Sequence, residues 1–180
     1  MCDGKECVAS THPQLWPRSR KAPGPYFFVN SNSIFARTGA GSAVCAEAPA
    51  TFHVRLQASE GQVVPLTEPL LANSIMGMAR RHHDLGLWWC ELFLVMPDHL
   101  HAILDFGVGA DVQGIIGSWK RAASATLGVS WHGRFEDHRL PRRCEVDEKW
   151  WYVRRNPVAR GLCDREDDWR HWWSALSPMS

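Results

Sequence analysis

Residues 93–106 read Phe-Leu-Val-Met-Pro-Asp-His-Leu-His-Ala-Ile-Leu-Asp-Phe. Two apolar runs meet at Pro97-Asp98. Proline lacks an N–H and presets its φ, and aspartate favours turns, so the pair punctuates two strands. The second strand opens with His99-Leu100-His101. Side chains at i and i+2 of a strand point to one face, so the two imidazoles project together while Leu100 faces away. Two imidazoles on one rigid strand form half of a divalent metal site. The alternative is a polar strand edge. The apolar setting speaks for a use, because idle buried polar groups are costly.

The rest of the chain organises around this hairpin. Residues 51–57, Thr-Phe-His-Val-Arg-Leu-Gln, alternate Phe52, Val54 and Leu56 against His53 and Arg55, the pattern of a half-buried strand. Thr67 caps a helix in which Leu70, Leu71, Ile75 and Met78 share a face and Gly86 marks the end. Residues 87–96 and 99–106 are the two strands of the hairpin. A second helix carries Ile115, Ile116, Trp119 and Ala123 on one side, and residues 130–140 read as a strand with a loop. A third helix spans 145–155, and a Trp-rich tail closes the pattern. Strand, helix, strand, strand, helix, then a further strand or helix, resembles a split βαβ plan. It predicts an α+β fold: an antiparallel sheet with helices packed on one face. Residues 1–48, rich in Pro, Gly, Ser and Ala, read as an irregular extension with one short strand near Tyr26, and residues 49–176 as the folded domain.

Composition narrows the class. The chain has 180 residues and a formal net charge of +1, so no bulk basicity advertises nucleic acid, although charges still cluster locally. No apolar run reaches the roughly 20 residues that span a bilayer. The first residues lack the apolar core of a secretory leader, so a cytoplasmic location without membrane contact is expected. The six cysteines form no CxxC pair and read as reduced thiols.

The third helix supplies a second piece of chemistry. Tyr152 precedes Asn156 by four residues, which puts a phenol and a carboxamide on one helical face. Pro157 pushes Asn156 out of the α region, so the helix ends or kinks there. The chain has only two tyrosines, and the other, Tyr26, lies in the irregular extension. On the residues alone, Tyr152 reads equally as a nucleophile or as a packing residue beside Trp150 and Trp151.

Taken in order, Val-Met-Pro-Asp-His-Leu-His-Ala-Ile-Leu (95–104), Trp-His-Gly-Arg-Phe-Glu-Asp-His-Arg-Leu (131–140), Tyr-Val-Arg-Arg-Asn-Pro-Val-Ala-Arg-Gly-Leu (152–162) and Arg-Glu-Asp-Asp-Trp (165–169) resemble the REP-associated tyrosine transposases. These belong to the single-tyrosine HUH transposases, named for His-hydrophobe-His. The resemblance runs from about residue 50 to 173. It implies a ferredoxin-like fold and cleavage of single-stranded DNA near hairpins. It implies that His99 and His101 bind a divalent metal, Mg2+ or Mn2+, that Asn156 completes the site, and that Tyr152 is the nucleophile. Many members of the wider class are dimers, so a homodimer is implied too. The family's tyrosine segment usually reads Tyr-Ile-His, whereas Val153-Arg154 stands here, and residues 1–48 have no counterpart.

A phosphodiester repels nucleophiles, and a divalent ion on its oxygens offsets that charge. Attack by tyrosine keeps the bond energy in a covalent link, which suits strand transfer. Lys120 and Arg121 on the second helix and Arg154, Arg155 and Arg160 around the tyrosine are candidates for phosphate contact, or for a solvated charged face. His82 and His83 suit a helix C-terminus. Three rival readings share parts of this set: a water-using metal nuclease, a single-strand-binding module and an inactive remnant of the family.

Overall fold

A computed structural model describes residues 49–176. The short N-terminal strand near Tyr26 lies outside them. Five strands, β1 (Ala50–Gln57), β2 (Trp89–Val95), β3 (His99–Phe106), β4 (Glu136–Leu140) and β5 (Trp172–Trp173), form one antiparallel sheet in the order β4-β1-β3-β2-β5. The helices are α1 (Pro69–Asp84), α2 (Val112–Leu127), α3 (Arg143–Arg154) and the single turn α4 (Asn156–Ala159). The first four strands carry the split βαβ order expected from the sequence, and β5 adds a two-residue edge beside β2.

Alternation along β1 and β3 builds two layers. Phe52, Val54 and Leu56 with Leu100, Ala102, Leu104 and Phe106 join Ile75 and Met76 of α1 and Ile116 and Trp119 of α2 in the main core. Trp119 is 1% exposed and meets the rings of Phe93, Trp88 and Trp131. The opposite face is covered in part by α3. Its Val146 and Val153 join Leu92, Leu94, Ile103 and Trp169 in a second, smaller cluster. Helices on one face is therefore correct for α1 and α2 only. The third helix follows the βαββαβ unit and takes the face those two leave open.

Local chemistry explains the boundaries. α1 is capped by the Glu68 carboxylate, which accepts from the Leu71 N–H, and not by Thr67. Asp111 caps α2, and Gly128 ends it at φ 69°, a left-handed conformation that glycine adopts without steric cost. α3 stops at Arg154 as Pro157 requires, and the carboxamide of Asn156 donates to the Tyr152 carbonyl where the ladder breaks. His82 stacks on Trp88, and His83 meets the edges of Trp89 and Trp173, so both are structural. The described cysteines, Cys90, Cys144 and Cys163, are free.

Candidate active site

The β3 register puts His99, His101 and Ile103 on the face that α3 covers. His99 and His101 are 1% and 5% exposed. Their Nε2 atoms face each other at 3.1 Å, with the ring planes nearly perpendicular. Behind His99, Nδ1 donates to Asp98 Oδ1 at 2.6 Å. Asp98 is held in turn by Gln57 and by Arg160, whose guanidinium lies 3.6 Å from Oδ2. The turn that announces the strand in the sequence thus supplies the carboxylate that orients its first histidine.

Behind His101 stands a third histidine, on the polar side of the half-buried strand β1. His53 of β1 places Nε2 3.0 Å from His101 Nδ1. The ring centres are 5.1 Å apart and the planes 22° apart, so the rings meet edge to edge, almost coplanar, through their nitrogens. His138 of β4 is the cross-strand neighbour of His53 and shares its face. The signal was the odd-numbered row His53, Arg55, Gln57, but only the β1–β3 pairing brings His53 to His101.

Burial keeps these imidazoles neutral. It lowers His53 from 6.5 to about 4, helped by the charges of Lys149, His138 and Arg55. It lowers His101 to about 2, with His99, His53, Arg55 and Lys149 adding to the effect. Burial lowers His99 too, against the pull of Asp98. Neutral imidazole is the form that ligates metal. The cations that disfavour imidazolium here also suit a phosphodiester.

Tyr152 lies on α3 with 60% of its surface exposed. The Lys149 ammonium sits 4.9 Å from the centre of its ring. Lys149 also acts electrostatically on His53 and His101 and so ties the tyrosine's side of α3 to the histidine cluster. In the sequence it carries no signal, because a lone lysine between Glu148 and Trp150 has no pattern. Among the described residues no hydrogen bond joins Tyr152 or Asn156 to either histidine of β3.

The donor set fits a divalent ion. Two nitrogens side by side on an octahedral ion at about 2.1 Å stand about 3 Å apart, close to the separation of the His99 and His101 Nε2 atoms. Among the described residues no group of three or more His, Cys, Asp and Glu is arranged to hold a metal. A third protein donor would be of another type. The sequence offers Asn156, whose Nδ2 donates to the Tyr152 carbonyl and whose carboxamide oxygen is an atom of the right type.

The basic candidates divide. Arg155 and Arg160 keep 70% and 48% of their side chains exposed next to the tyrosine helix. Arg154 does not belong with them. It is 2% exposed, lies 4.0 Å over the Trp172 ring, donates to the Glu166 carbonyl and pairs with Asp167. It anchors the tail to α3 and cannot reach DNA. Lys120 and Arg121 lie on α2, on the other side of the sheet. Lys120 donates to the carbonyls of His132 and Gly133 and so holds the loop after α2, while Arg121 bonds Ser118. The two line an open groove of about 550 Å³ with Trp131 and Phe135.

No protein-family model matches this chain, and no curated protein matches it by sequence. Among solved structures, a REP-associated tyrosine transposase bound to a REP hairpin matches 78% of this chain and 82% of its own, with a TM-score of 0.54 and 20% identity. The chain has the fold of a REP-associated tyrosine transposase. Among the described residues no helix is long and apolar enough to cross a membrane.

Proposed function

We propose that this chain is a transposase of the single-tyrosine HUH class, which cleaves and rejoins single-stranded DNA next to a hairpin. The observation that carries the reading is the His99–His101 pair. Two buried, neutral imidazoles present Nε2 atoms 3.1 Å apart, on a sheet whose other neighbour on that face is the helix of an exposed tyrosine. The transposase of like fold is bound to a hairpin, which favours the same class of DNA here.

His99, His101 and Asn156 would hold a divalent ion, Mg2+ or Mn2+. Bound there, the ion would offset the negative charge of the phosphate oxygens. Lys149 and Arg160 add positive charge on the same side and orient the backbone. The Tyr152 oxygen attacks phosphorus, the bond to the neighbouring nucleotide's 3′ oxygen breaks, and that oxygen leaves as a hydroxyl with a proton from solvent. The phenol proton is released, and a 5′-phosphotyrosine remains. Attack by a DNA 3′-hydroxyl reverses these steps and rejoins the strand. A phenol that is mostly exposed can be reached by a strand without opening the core.

The test is a labelled single-stranded hairpin incubated with the protein, with and without Mn2+, and resolved on a denaturing gel. The expected result is metal-dependent cleavage with a protein-linked band that Tyr152→Phe loses while it still binds DNA. Cleavage by Tyr152→Phe equal to the unsubstituted protein would identify a water-using nuclease. Hairpin retention without cleavage would identify a binding module or an inactive remnant.

A further inference from the structure

We propose that His53 is a positioning residue that sets which nitrogen of His101 carries the proton, and so lets the β3 pair accept a metal ion. The inference rests on the metal reading above and concerns a residue outside that ligand set.

Asp98 Oδ1 accepts from His99 Nδ1, and a neutral imidazole carries one proton, so His99 Nε2 is a bare lone pair. That lone pair faces His101 Nε2 at 3.1 Å. The contact is a hydrogen bond only if His101 carries its proton on Nε2. His101 Nδ1 is then bare and accepts from His53 Nε2 at 3.0 Å. In the other arrangement His101 carries its proton on Nδ1 and donates to His53 Nε2, while the His53 proton moves to its own Nδ1. Both Nε2 atoms of the β3 pair are now bare and face each other. Alone, two lone pairs repel. Around a divalent cation they are two ligands.

Ion entry thus shifts one proton across each of two rings, with none gained or lost by the pair. His53 makes the second arrangement available because it can accept where it previously donated. Its near-coplanar approach to His101 suits both directions of the bond. It is not placed as a direct ligand: its nitrogen meets the far side of His101, away from the paired Nε2 atoms.

The test compares His53→Gln and His53→Leu. A glutamine carboxamide can donate or accept and preserves the device; leucine fills space and does neither. Mn2+ affinity is read by electron paramagnetic resonance, the His101 tautomer by nitrogen-15 resonances with and without Mg2+, and folding by thermal melting of each variant. Expected are a tautomer change at His101 on Mg2+ binding, affinity within about threefold of the unsubstituted protein for glutamine, and a loss of about 10- to 100-fold for leucine, the range seen when a partner behind a metal ligand is removed. Leucine binding Mn2+ as well as the unsubstituted protein would overturn the proposal, as would equal losses for both variants or a His101 proton that stays in place. If the unsubstituted protein binds neither ion, the metal reading itself fails and takes this inference with it. That outcome is distinct from a metal site indifferent to residue 53.

Discussion

Strands β1 and β3 face two different environments. Toward α1 and α2 they present Phe52, Val54, Leu56, Leu100, Ala102, Leu104 and Phe106, an unbroken apolar surface. Toward α3 they present Thr51, His53, Arg55, Gln57, His99, His101, Ile103 and Asp105, of which only Ile103 belongs to a hydrophobic cluster. The same backbone is thus a core element on one side and a scaffold for polar groups on the other. Precise chemistry benefits from this arrangement, because the rigidity that locates His99 and His101 comes from packing they do not take part in. Substitutions on the two faces should therefore separate stability from activity.

Trp119→Ala should break the apolar face most severely. It removes a fully buried indole at the junction of Phe93, Trp88 and Trp131 and should cost about 3–5 kcal/mol in urea unfolding. On the polar face, acid should weaken the metal-free fold. The unfolded chain binds protons on His53 and His101 below about pH 6.5, whereas the folded chain holds off until about 4 and about 2. Unfolding then takes up protons, so this stability is full above pH 6.5 and is lost as the pH falls toward 4. Melting temperatures between pH 7 and 4 check it, and His53→Gln should flatten the fall; a melting temperature that rises in acid would contradict the neutral, buried histidines.

Smaller effects sharpen the contrast. Arg154→Ala should cost on the order of 2 kcal/mol, by loss of charged hydrogen bonds, and should leave hairpin affinity unchanged per folded molecule. Arg160→Ala should do the reverse: little loss of stability, with the slope of log affinity against log salt reduced by about 1. Tyr152→Phe should change stability least, within about 0.5 kcal/mol, because the ring is largely exposed.

The sequence carries the hairpin of β2 and β3 well, since Pro97-Asp98 and the apolar runs are local signals, and β3 begins at His99 as read. It carries α2 equally well through the spacing of Ile116, Trp119 and Ala123. The site is legible in part. His99 and His101 share a face because strand periodicity alone says so. His53 escaped because alternation tells which side of a strand a residue occupies and not what covers that side. Arg154 was misread for the matching reason: in a basic run on an amphipathic helix it looks solvated, and only the distant Trp172 and Glu166 turn it inward. The two-residue β5 offers no periodicity at all.

The central claim is that Tyr152 becomes covalently joined to DNA. Its most direct test is peptide mapping by mass spectrometry after incubation with a single-stranded hairpin and Mn2+. One modified peptide is expected, with the nucleotide phosphate on Tyr152. Cleaved DNA without any modified peptide, or a phosphate on Tyr26, the only other tyrosine, would contradict it.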